Sequence, residues 1–160
     1  MPVAGTCWGF ERSLEQARAR AAAAVGSDDA PCGLCCTSAY LGMQEATAWI
    51  ELGKPGRAVM VFERDLAGLP VSDQVDAGVC RARLARAYAQ DGRADLAAST
   101  ALSAWDIACA TGSRRAINEL ARVRRSVGSQ PEIDAVARFI AVFDAHARQA
   151  RTPAGRRPVR

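Results

Sequence analysis

The densest group of reactive side chains in the chain is the stretch Cys32-Gly33-Leu34-Cys35-Cys36. A C-x-x-C spacing has the bite for a tetrahedral zinc, and Cys7 could lie nearby. A structural site needs four ligands, and neither a second C-x-x-C nor a nearby histidine accompanies this stretch. A metal at Cys7, Cys32, Cys35 and Cys36, or a reversible thiol–disulfide switch there, stands as an alternative to the plainer reading as small buried apolar side chains. Cys80 and Cys109 fall inside helical segments and read as core or near-core residues. No bound metal and no cofactor is expected.

His146 is the only histidine, so a Ser–His–Asp or Cys–His site would have to run through it. It stands near the end of the last helical segment, where an imidazole suits a helix C-terminus, and reads as a surface residue. Acidic pairs such as Glu63 and Asp65 read as a solvated helix face. No Gly-rich phosphate loop follows a strand, because strand-like alternation never accumulates. The chain is therefore read as non-catalytic.

The remaining chemistry lies in guanidinium groups. Lys54 is the only lysine among 21 basic residues, and the net charge is a mild +4. With so much Ala and Gly, this arginine excess fits the codon bias of a high-GC genome as well as a functional choice. Direct binding of nucleic acid is not demanded of this chain alone. Arg83 and Arg86 are three residues apart, and Arg122 and Arg125 repeat that spacing. Such pairs are neighbours on a helix surface. Four guanidinium groups side by side could fork onto carboxylates.

Positioning them requires helices. Alanine makes up about a fifth of the chain and aromatics only 6%. Alanine loses no side-chain entropy in a helix, and its small volume lets helices approach closely. An internal match sharpens this all-α expectation. Residues 46–66 align with 85–105 at a constant offset of 39: Ala46 on Ala85, Trp49 on Tyr88, Gly53 on Gly92, Ala58 on Ala97, Leu66 on Trp105. The small residues allow close crossings, the aromatics fill the space between neighbouring helix pairs, and the glycines end helices in a left-handed conformation. A tetratricopeptide unit has about 34 residues. The surplus is placed in the 70–76 connection, where Pro70 stops a helix.

The pattern predicts a tetratricopeptide-like solenoid of helical hairpins with helices at about 39–52 and 56–68, then 75–91 and 94–110. A degenerate third pair is expected at 113–127 and 132–148, with Gly128 ending its first helix. Val136, Phe139, Ile140 and Phe143 form an i, i+3, i+4, i+7 stripe that can seal the stack, and Glu132 and Asp134 suit the start of that last helix. An amphipathic helix at 8–25 has no partner before it, so the chain is expected to begin inside a repeat. The expected layout is a single repeat domain over 1–150 and a basic disordered tail over 151–160, where Arg151, Arg156, Arg157 and Arg160 mix with Pro153 and Pro158.

In such a stack the first helix of each pair lines the concave side. The groove positions are then Tyr40, Met43, Gln44, Thr47 and Glu51 in pair one, and Val79, Ala82, Arg83, Arg86 and Gln90 in pair two. Pair three supplies Arg115, Asn118, Glu119, Arg122 and Arg125. The wall grades from apolar and polar to basic, a cradle for a peptide with an acidic or C-terminal carboxylate end. The competing reading is a structural adaptor or oligomerisation module without a groove ligand, and a homodimer is compatible with either.

The stretch from Asp28 to about Phe143 resembles the C-terminal repeat domain of helix-turn-helix transcriptional regulators of the XRE family in high-GC bacteria. The residues that carry the resemblance are Asp29-Ala30-Pro31 with Cys32-Gly33-Leu34-Cys35, and the run from Ala46 through Trp49 and Gly53 to Pro55. Two further phrases, Ala82 through Tyr88 and Ala108 through Ser113, complete it. The resemblance implies a sensing or protein-interaction part of a transcriptional regulatory system, binding a peptide, protein or small effector. No helix-turn-helix precedes the repeats here, so DNA binding is not carried over. No stretch approaches the roughly 18 apolar residues of a membrane span. Glu11 and Glu15 stand where a signal peptide needs a basic and apolar run. A cytoplasmic protein with reduced thiols is expected.

Overall fold

The computed structural model describes residues 4–24, 38–66 and 74–151. They fold into seven helices: α1 (Ala4–Ala24), α2 (Ser38–Glu51), α3 (Pro55–Leu66), α4 (Gln74–Gln90), α5 (Ala94–Thr111), α6 (Arg114–Val127) and α7 (Asp134–Arg151). No strand occurs among the described residues. The Cys32–Cys36 stretch, the 67–73 connection and the tail beyond 151 lie outside them.

The 39-residue offset reappears in the backbone of the two helix-ending turns. Gly53 has φ +67° and Gly92 has φ +80°. The Gly53 and Gly92 amides donate to the carbonyls of Ile50 and Ala89, and those of Lys54 and Arg93 donate to Trp49 and Tyr88. This is the Schellman ending, in which a left-handed residue lets the chain turn back and satisfy the last carbonyls. The residue after each glycine carries a cation over the aromatic three residues before the cap: Lys54 Nζ lies 5.7 Å from the Trp49 ring, and the Arg93 guanidinium 4.8 Å from Tyr88. Each turn then starts the next helix through the same bond, Ala58 N–H to Lys54 and Ala97 N–H to Arg93. Pro55 opens α3 at a position where a missing N–H costs nothing.

Alanine sets the helix spacing. Ala46, Ala58, Ala82, Ala85, Ala97, Ala101 and Ala108 are fully buried. Where alanine would be too large, glycine replaces it: a Cβ on Gly78 of α4 would lie 2.8 Å from Ile107 Cγ2 of α5. Around this frame Phe62, Ile50, Val79, Leu120 and Phe139 fill the core, and α4 packs against α3, α5 and α6 together.

The third pair differs from the expectation. α6 begins properly, with Ser113 Oγ accepting from the Ala116 amide, after a left-handed Gly112 closes α5. It ends without a left-handed residue, because Gly128 has φ −64°, and six residues separate it from α7. α7 therefore lies chiefly against α5 and only lightly against α6. Its apolar stripe still finds the core. Val136 and Phe139 are fully buried, and Phe143 meets Trp105 of α5 edge-on at 5.6 Å.

Candidate functional site

The first helices of the three pairs, α2, α4 and α6, stand side by side, with α4 in the middle. Their polar positions form one connected network. Thr47 on α2 donates to its own helix at the Met43 carbonyl (2.7 Å) and accepts from Arg83 Nη1 on α4 (3.1 Å). One turn along, Arg86 Nη1 donates to Glu51 Oε1 of α2 at 2.8 Å. On the other side Glu119 of α6 receives three arginines: Arg122 Nη1 at 3.2 Å from both carboxylate oxygens, Arg86 Nη1 at 3.6 Å and Arg83 Nε at 3.8 Å. The last two are ion pairs without hydrogen-bond geometry. Arg83 Nε is in fact buried without a hydrogen-bond partner.

These contacts correct part of the groove expected from sequence. Met43, at 4% exposure, belongs to the core, as do Val79 and Ala82; their positions on the inner helices bury them where α2, α4 and their partners cross. Tyr40 is half-buried against the same core. Gln44, Gln90, Asn118 and Arg125 are exposed. Arg115 is exposed too, with Nη2 3.5 Å from Asp76 of α4. Arg83 and Arg86 are not free groove cations: Arg86 is 13% exposed and held between Glu51 and Glu119. The expected four-guanidinium array is thus a neutralised inner pair and a more open outer pair, with Arg122 at 49% exposure.

A second polar centre carries no signal in the sequence. Glu45 of α2 is buried, accepts from Trp49 Nε1 at 3.2 Å and pairs with Arg18 of α1. α1 also sets Phe10 edge-on against Trp49 at 5.2 Å, and Glu11 against Arg57 at 2.5 Å. Arg57 in turn lies over the Trp49 ring at 4.6 Å. Beside them Glu45, Trp49, Arg57, Met60, Val61 and Arg64 line an open cleft of about 410 Å³. A buried carboxylate at one position of an otherwise ordinary helix is legible only once α1 supplies its partner.

His146 packs edge-on to Trp105 at 5.0 Å and is exposed. Cys109, expected in or near the core, is exposed on α5; partial desolvation and the Asp106 charge still push its thiol up, which disfavours a nucleophilic thiolate. Cys80 is buried in α4. Among the described residues no cluster of His, Cys, Asp and Glu could hold a metal ion. Cys32, Cys35 and Cys36 lie outside those residues, as does the side chain of Cys7. No described helix is long and apolar enough to cross a membrane.

The chain matches no family model, no curated protein and no solved structure. The arrangement of its own side chains therefore carries the functional reading.

Proposed function

We propose that the chain is a non-catalytic, tetratricopeptide-like binding module whose groove, formed by α2, α4 and α6, docks a peptide or protein segment. The supporting observation is the polar network that crosses all three inner helices, from Thr47 and Glu51 through Arg83 and Arg86 to Glu119 and Arg122. Stability does not ask for such a network. Partly exposed ion pairs contribute little each, and desolvating arginines is costly. Binding does ask for it, because fixed charges across adjacent helices give a partner register and specificity. The duplicated Schellman turns support the repeat reading, since identical turns set successive pairs at similar angles. In the setting that the XRE-family resemblance implies, the module is the cytoplasmic sensing or interaction part of a transcriptional regulatory system.

A photo-crosslinking amino acid at Gln44 or Asn118, both exposed on inner helices, tests this in cells producing the protein. Both sites are expected to capture the same partner, and the same probe at exposed Ser103 of α5 is expected to miss it. Equal capture from all three positions would remove the groove as the site. Crosslinks from Gln44 and Asn118 only to a second copy of the chain would establish the adaptor reading instead.

A further inference from the structure

The charges of the groove do not close. Arg83, Arg86 and Arg122 bring three positive charges to two carboxylates, Glu51 and Glu119. Exposed Arg125 stands one turn beyond Arg122 on the same helix. Glu119 is shared among three guanidinium groups yet has hydrogen-bond geometry with Arg122 alone. Arg83 Nε, 3.8 Å from it, is left buried without an acceptor. A buried donor without a partner is costly, so this site holds a carboxylate but is not well satisfied by the one it holds.

Resting on the groove reading above, we infer that the groove takes an acidic segment of a partner protein, and that Glu119 occupies the seat of one of its carboxylates until the segment binds. Arg122 is the group that exchanges. It is half exposed, its pair with Glu119 is a local i, i+3 contact, and swinging outward costs it little. Turned toward a partner, it stands beside Arg125 and offers two forks to acidic side chains spaced along one segment. The incoming carboxylate then takes the place of Glu119 on Arg122, while Glu119 stays with Arg83 and Arg86.

The same geometry selects a peptide over a nucleic acid. Glu51 and Glu119 stand among the arginines, and Glu51 is 60% exposed, so a continuous phosphate backbone would meet fixed negative charge along the groove. A peptide can place neutral residues at those points. Tyr40, half-buried, is the sole aromatic at the groove positions, which leaves bases little to stack on.

The test uses fluorescence anisotropy with fluorescein-labelled octaglutamate, octaglutamine as control, and unlabelled single-stranded DNA and anionic vesicles as competitors. Wild-type protein is expected to bind octaglutamate in a salt-dependent manner and to ignore octaglutamine. Glu119→Gln is expected to bind it roughly two- to fivefold more tightly, the fold-change of releasing a partly exposed ion pair. Glu51→Gln should give a smaller gain, and keeps the test sound if Glu119→Gln melts early. Arg122→Glu with Arg125→Glu is expected to abolish binding. Loss in that double variant with no gain in either glutamine variant would overturn the exchange and leave the groove reading standing. Octaglutamate binding indifferent to all four changes would overturn both. No octaglutamate binding by any variant, or displacement by DNA or vesicles at lower concentration than by unlabelled octaglutamate, would overturn the acidic segment as occupant.

Discussion

At the scale of single residues, the ion pairs fall into two kinds that sequence spacing does not separate. Arg124 and Asp144 form a two-pronged pair between α6 and α7, with Arg124 Nη2 2.9 Å from Asp144 Oδ2 and Nε 3.2 Å from Oδ1. The Arg124 hydrogen bonds hold the Asp144 carboxyl below its ordinary 3.8, partly opposed by burial and aided by the charges of Arg124 and Arg148. A carboxyl lowered in the folded state stabilises the fold fully above pH 3.8 and loses that contribution as pH falls through its lowered value. Both side chains are about a third exposed, so the pair is worth at most about 1 kcal/mol. Thermal melts of wild type and Asp144→Asn are expected to differ above pH 3.8 and to converge as pH falls through the lowered value of the Asp144 carboxyl. A gap that persists at the acid end would assign the effect to packing rather than charge. Nothing in the sequence marks Asp144 as Arg124's partner, because the pairing depends on how α7 crosses α6 after a connection of irregular geometry.

At the scale of elements, most of the architecture was legible. The seven helices occupy the expected segments to within a few residues, because alanine-rich periodicity and the Gly53, Gly92 and Gly112 stops act locally. The offset of 39 rests on Gly, Ala and aromatic types whose roles are dictated by backbone and volume, so it survived into matching hydrogen bonds. Gly128 was not legible in the same way. Glycine permits a left-handed ending without imposing one, and φ −64° there sends the chain into a longer connection. Gly53→Ala and Gly92→Ala are therefore expected to cost similar amounts, about 1–2 kcal/mol each, since both place a Cβ in the left-handed region. Chemical denaturation checks this. A marked difference between the two would mean that their turns are equivalent in bonding but not in strain.

The same duplication extends to close packing. Ala85 of α4 is fully buried, in a helix that contacts α3, α5 and α6 at once. Leucine there has no direction in which to relax, and Ala85→Leu is expected to cost about 1–3 kcal/mol by overpacking. An unchanged denaturation midpoint would show that the helices can part without penalty, and that small residues are not what sets their spacing.

At the scale of the whole molecule, the inward positions read from the sequence do not carry their electrostatic state with them. The sequence places Arg86 and Arg122 at equivalent inward positions, and equivalence would make their charge reversal similar in effect. Neighbouring helices break that symmetry. α4 lies between two others, so Arg86 is 13% exposed and sandwiched by Glu51 and Glu119, whereas Arg122 on the outer helix is 49% exposed. Arg86→Glu would set a carboxylate against Glu119, both only 13% exposed, and beside the more open Glu51, and is expected to cost about 3–5 kcal/mol, as for a broken buried pair. Arg122→Glu would set two carboxylates one helical turn apart at the surface, costing only about 0.2–0.5 kcal/mol. Urea denaturation of the two single variants measures both. Arg86→Glu should lose much of its stability, and Arg122→Glu should stay close to wild type while losing the acidic probe. If instead the two variants are equally stable, the inner arginines are as solvated as the outer ones. The groove would then be an open basic surface rather than a neutralised seat awaiting exchange.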